Sequence, residues 1–152
     1  MRRSTSSKAI LQLWNPTITD HLYTIDRKEY ENASSMLGYL KDGIVGYVFA
    51  NPQPNAEALF RLWNPEIGDH FYTRSVTERN LALKNRGYKD EGVAGYLYAD
   101  TPQAQACGQP LYRLLGSEFN DHFYTGSVQE KERWIKNWNY TSDGITGWFL
   151  PY

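Results

Sequence analysis

An aspartate followed directly by a histidine can share a proton, hold a hydroxyl between an acceptor and a donor, or ligate a metal. The sequence contains this pair three times, as Asp20-His21-Leu22-Tyr23-Thr24, Asp69-His70-Phe71-Tyr72-Thr73 and Asp121-His122-Phe123-Tyr124-Thr125, and these copies hold every histidine of the chain. A glycine-aromatic block follows each: Asp42-Gly43-Ile44-Val45-Gly46-Tyr47, Glu91-Gly92-Val93-Ala94-Gly95-Tyr96 and Asp143-Gly144-Ile145-Thr146-Gly147-Trp148. From Asp20 to Gly43, Asp69 to Gly92 and Asp121 to Gly144 the separation is the same 23 residues. The chain is a threefold internal duplication, with repeats at about residues 10–50, 59–99 and 111–151 of one domain spanning 1–152.

Three chemistries suit the repeated residues. In a structural reading the aspartate accepts backbone N–H groups in a turn and the histidine bonds across a hairpin. In a sugar-binding reading Asp20, His21, Asp69, His70, Asp121 and His122 offer partners to vicinal hydroxyls. Tyr47, Tyr96 and Trp148 then supply aromatic faces for the C–H surface of a sugar, with Gly46, Gly95 and Gly147 allowing close approach. In a metal reading the three histidines converge on one ion, as zinc accepts; no metal or other cofactor is assigned. Catalysis is not expected, because the reactive side chains come in triplicate and no nucleophile elbow, phosphate loop or HExxH helix is present.

The elements that must position these residues are legible in part. Each repeat opens with an apolar run, Ile10 to Trp14, Leu59 to Trp63 or Leu111 to Leu115, and a turn leads into the pentapeptide as a second strand. That turn has Gly68 in the second copy, Asn120 in the third and Thr19 in the first; threonine tolerates the left-handed region poorly, so the first turn is expected to differ in shape. Alternation places His70 and Tyr72 on one face of the strand, Phe71 and Thr73 on the other. Caps at Asp26, Ser75 and Ser127 and stops at Gly38, Gly87 and Asn139 predict helices near 27–37, 76–86 and 128–138. Asp42-Gly43, Glu91-Gly92 and Asp143-Gly144 read as tight turns between a third and a fourth strand. Twelve strands in three repeats predict a mostly β fold, a pseudo-threefold β-trefoil with a short helix inserted in each repeat.

Composition narrows the classes further. A formal net charge of −1 without a basic run argues against nucleic acid, and the lone Cys107 excludes an intramolecular disulfide. No apolar run suits a membrane helix or a secretory leader, so a cytoplasmic protein without membrane insertion is expected.

The strings Leu62-Trp63-Asn64-Pro65-Glu66-Ile67-Gly68-Asp69-His70-Phe71-Tyr72-Thr73 and Glu91-Gly92-Val93-Ala94-Gly95-Tyr96 resemble the tandem DHFYT-repeat modules of fungi and bacteria. The resemblance covers nearly the whole chain and departs at Thr19, Leu22 and Leu115-Gly116-Ser117. It implies a trefoil-like carbohydrate-binding module, but neither a defined sugar nor defined ligand residues. The expected function is a lectin-like protein with up to three related sites for glycans or glycoproteins, whose avidity a homo-oligomer would raise further. The alternative is a protein-interaction module, an enzyme inhibitor or a partner subunit. Short loops, alike from repeat to repeat, favour the sugar.

Overall fold

The computed structural model describes residues 7–118 and 120–150. The chain is mostly β. Three units follow one another: β1 (Ser7–Asn15), β2 (Asp20–Thr24), α1 (Arg27–Met36) and β3 (Leu40–Phe49); β4 (Ala56–Asn64), β5 (Asp69–Thr73), α2 (Val76–Asn85) and β6 (Lys89–Tyr98); β7 (Gln109–Gly116), β8 (Asp121–Thr125), α4 (Val128–Trp138) and β9 (Thr141–Phe149). A further short helix, α3 (Pro102–Cys107), occupies the connector before the third unit and was not expected. Thr101 caps it and Pro102 starts it, both favourable positions.

Within a unit the long first strand lies between the other two, antiparallel to both. Trp14 faces His21, Trp63 faces His70 and Leu115 faces His122, so the three hairpins share one register. The turns also agree. Thr19, Gly68 and Asn120 have φ of 56°, 70° and 53°, so Thr19 adopts the left-handed conformation despite its branched Cβ, and the expected difference in the first turn is absent.

The three repeat helices lie where the caps predict them. Asp26 accepts from the N–H groups of Lys28 and Glu29, Ser75 from Glu78, and Ser127 from Glu130. Gly38, Gly87 and Asn139 take positive φ at the stops, and the N–H of the next tyrosine reaches back to Ala33, Ala82 or Trp134.

The third strand corrects the strand count. Asp42-Gly43 and its equivalents are not hairpin turns: β3, β6 and β9 each run through the site as one continuous strand. Opposite β1, the register steps from Leu13–Lys41 to Leu11–Ile44 and then to Ile10–Gly46, so β3 carries extra residues at two bulges. The same steps occur between β4 and β6 and between β7 and β9. Gly43, Gly92 and Gly144 have φ near 90°, which a bulge can require as much as a hairpin turn. The described residues therefore contain nine strands, not twelve.

The main core is built by all three units. Val48, Leu97 and Phe149 meet Ile10, Leu59 and Leu111 around Tyr23, Tyr72 and Tyr124. Each unit also has a smaller cluster under its own helix, with Leu13 and Leu22, Leu62 and Phe71, or Leu114 and Phe123 at its centre. At one end of the core Phe49 pairs with Tyr96, Tyr98 pairs with Trp148, and the Leu150 N–H donates to the Tyr47 carbonyl at 2.9 Å.

Candidate functional site

The short strands β2, β5 and β8 each pair on one side only, which leaves outward-facing backbone groups to satisfy. The pentapeptide satisfies them from the neighbouring unit. The Tyr72 hydroxyl accepts from the Tyr23 N–H at 2.7 Å and donates to the Tyr23 carbonyl at 2.9 Å. Tyr124 does the same for Tyr72, and Tyr23 for Tyr124. The three rings meet edge to face with centroids 5.3–5.4 Å apart.

The aspartates and histidines form a second ring. His70 Nδ1 lies 2.6 Å from Asp20 Oδ2, His122 Nδ1 is 2.6 Å from Asp69 Oδ2, and His21 Nδ1 is 2.7 Å from Asp121 Oδ2. A carboxylate only accepts, so Nδ1 carries the proton in each pair. The other oxygen of each aspartate takes the same histidine's backbone N–H, at 2.7–3.2 Å. Tyr39, Tyr88 and Tyr140 add a hydroxyl donor each. All three aspartates are fully buried. Burial raises the pKa of Asp121 despite the partly compensating charge and hydrogen bond of His21.

The threonine of the motif is structural as well. The Oγ1 of Thr24, Thr73 and Thr125 accepts the N–H of the helix cap two residues on. Leu22, Phe71 and Phe123 fill their own unit's cluster. Every residue of the pentapeptide thus serves the joining or closing of units.

Three consequences follow for the residues singled out in the sequence. Among the described residues the histidines do not converge on a common metal position. Oxygens of Asp20, Asp69 and Asp121 do lie within 4.8 Å of one another, but each carboxylate already accepts three hydrogen bonds. Nor do Tyr47, Tyr96 and Trp148 join the Asp-His pairs. They face Ala9, Ala58 and Pro110, five residues along the first strand from the partners of the histidines, or about 16 Å. The close approach at Gly46, Gly95 and Gly147 comes from Phe149, Val48 and Leu97 of neighbouring units, not from an open surface.

What the structure offers instead is a cleft at each seam between units, floored by a histidine. The cleft between the third and first units holds about 400 Å³ and is lined by Trp14, His21, Asp42, Trp134, Trp138 and Tyr140. The corresponding clefts contain Trp63 with His70, about 360 Å³, and Leu115 with His122, about 240 Å³. The first is lined by three tryptophans, Trp14 of the first unit and Trp134 and Trp138 of the third, where the second sets Trp63 against Tyr39. Trp14 leans on His21 at 4.3 Å between centroids; Trp134 stacks on Phe123 at 4.2 Å and meets Tyr140 edge-on. Trp138 is 59% exposed, although it stands beside Trp134. A search for repeated residues misses Trp134 and Trp138 because they are absent from the other copies, where α1 and α2 bear Ala33 and Ala82 instead of Trp134.

Charges line the seams as well. Arg61 makes a two-pronged bridge to Glu29 of the preceding unit at 2.7 and 2.8 Å and reaches Glu91 at 3.0 Å. Arg113 does likewise with Glu78, at 2.9 and 3.0 Å, and with Asp143 at 2.8 Å. Desolvation opposes the charge on Glu29 and Glu78, yet the arginine bonds hold both carboxyls below their ordinary pKa. His70 has a second carboxylate, Glu91, 3.2 Å from Nε2.

A β-rich chain of three units with clefts at its seams is the class these observations define. The chain belongs to the family described as a domain of unknown function (DUF5648), whose model matches residues 9–150. No match to a curated protein or to a solved structure was found.

Proposed function

We propose that the three units form a pseudo-threefold, trefoil-like body, in which the bent third strand of each unit stands for two strands of a trefoil. Its function on this reading is to bind carbohydrate without catalysis. The binding site is the aromatic cleft between the third and first units, not the Asp-His pairs themselves. The observation that carries this is the exposed Trp138 facing a cleft whose other wall is Trp14. A sugar needs a flat apolar face for its C–H surface and a few polar groups at the edge, and Asp42 lies at that edge. The resemblance to DHFYT-repeat modules supports the same reading. The two other clefts, with one tryptophan or none, are weaker versions of the site.

The test is a glycan-array screen followed by fluorescence titration of the best glycan against the wild type and Trp138→Ala. Trp138 is largely exposed, so its loss is expected to leave the melting temperature unchanged while weakening binding at least tenfold. A screen with no bound glycan, or full binding by Trp138→Ala, overturns the assignment.

A further inference from the structure

Position 12 breaks the charge pattern of the seams. Gln12 occupies in the first strand the place of Arg61 in the second unit and Arg113 in the third. At the other two seams that side chain is a guanidinium clamped between a helix carboxylate and a bulge carboxylate. Between the third and first units the two carboxylates are still present, as Glu130 on α4 and Asp42 on the bulge of β3, with Gln12 in the place of the arginine. Gln12 Nε2 donates to Asp42 and Thr125 Oγ1 donates to Glu130. Among the described residues neither acid has a salt-bridge partner. A pocket of about 330 Å³ opens there, with Gln12, Asp42, Thr125 and Glu130 on its walls. Asp42 lines this pocket and the aromatic cleft alike.

We infer that this pocket takes the positive charge of the ligand, so the preferred ligand is a saccharide bearing a free, protonated amino group. The inference rests on the carbohydrate reading of the adjoining cleft. Equivalent carboxylate pairs hold a cation at two seams of the same molecule, which identifies the chemistry that the third pair accepts. The shared Asp42 sets the geometry: a sugar ring laid against the tryptophans directs its edge substituents towards Asp42, where an ammonium gains charge-assisted hydrogen bonds. An acetylated amine is neutral and larger and loses that gain.

Calorimetric titration with the glucosamine tetramer and the N-acetylglucosamine tetramer, at low ionic strength and a pH that keeps the amine charged, tests the inference. The free amine is expected to bind at least tenfold tighter, with the difference shrinking as salt is added. Gln12→Arg, which supplies the guanidinium of the other seams, should abolish the preference, and Glu130→Gln should reduce it should the arginine variant fold poorly. Equal binding of the two oligomers overturns the inference and leaves the carbohydrate reading in place, as does a preference that both variants retain. Silence towards both oligomers and towards the glycan array, with or without binding of an arginine-rich peptide, overturns the carbohydrate reading and the inference together.

Discussion

Asp20 of the first unit and His70 of the second are joined twice, by the imidazole Nδ1–H at 2.6 Å and by the backbone N–H at 2.7 Å. The aspartate has no accessible surface, and it also accepts the Tyr39 hydroxyl. One carboxylate therefore satisfies three donors from two units.

Replacing Asp20 by Ala strands those donors and leaves the His70 charge short of a partner. Truncating one member of a buried ion pair costs about 3–5 kcal/mol, so denaturant unfolding of Asp20→Ala should show a loss of that size. A loss under about 1 kcal/mol would mean that the pair is not a strut.

The protonation of His70 makes stability depend on pH. Burial pulls its pKa down, but the hydrogen bonds to Asp20 and Glu91 outweigh it and lift the group from 6.5 to about 9. The native state then holds this proton more tightly than the unfolded chain. The stabilisation is complete below pH 6.5 and is lost as the pH rises to about 9, on the order of 3 kcal/mol in all. Denaturant melts across that interval should show the decline in the wild type and a smaller one in Glu91→Gln, which lacks the charged Nε2 partner. A flat wild-type profile contradicts the assignment.

Packing at the core end gives a separate prediction. A Cβ on Gly95 would lie 2.7 Å from Val48 Cγ2 of the first unit, inside a fully buried cluster. Gly95→Ala should cost about 1–3 kcal/mol through overpacking. The check is a comparison of unfolding midpoints with the wild type; an unchanged midpoint would show that Val48 moves aside freely.

What can be read from the sequence is what neighbouring residues decide. Ser75 and Glu78, or Asp26 and Glu29, are three positions apart, so their cap signals are complete without the fold. Gly43 shows the opposite case: positive φ is common to a hairpin turn and a bulge, and only the partner strand tells them apart. The Asp-His pairs draw attention because they repeat, yet repetition here reflects the joining of units. The candidate cleft depends on two departures from repetition, Trp134 and Trp138, and the pocket beside it on a third, Gln12. Their meaning is hidden in the sequence because α4 belongs to the last unit and Trp14 and Gln12 to the first. A comparison of aligned copies, asking where one differs from the other two, marks Trp134 and Gln12.

The ring of aspartates and histidines also governs how the molecule is made. His21 waits for Asp121, 100 residues later, and Tyr124 closes onto Tyr23 across 101. Until the last unit has been synthesised, the first lacks the acceptor for its imidazole and the tyrosine backbone groups that its own hydroxyl caps. No unit can complete its hydrogen bonds alone, and the contacts that complete them span 49 to 101 residues of chain. Such contacts cost loop-closure entropy before they reward it, so folding is expected to be a slow, single cooperative event of all three units, and an excised repeat is expected to lose its shape.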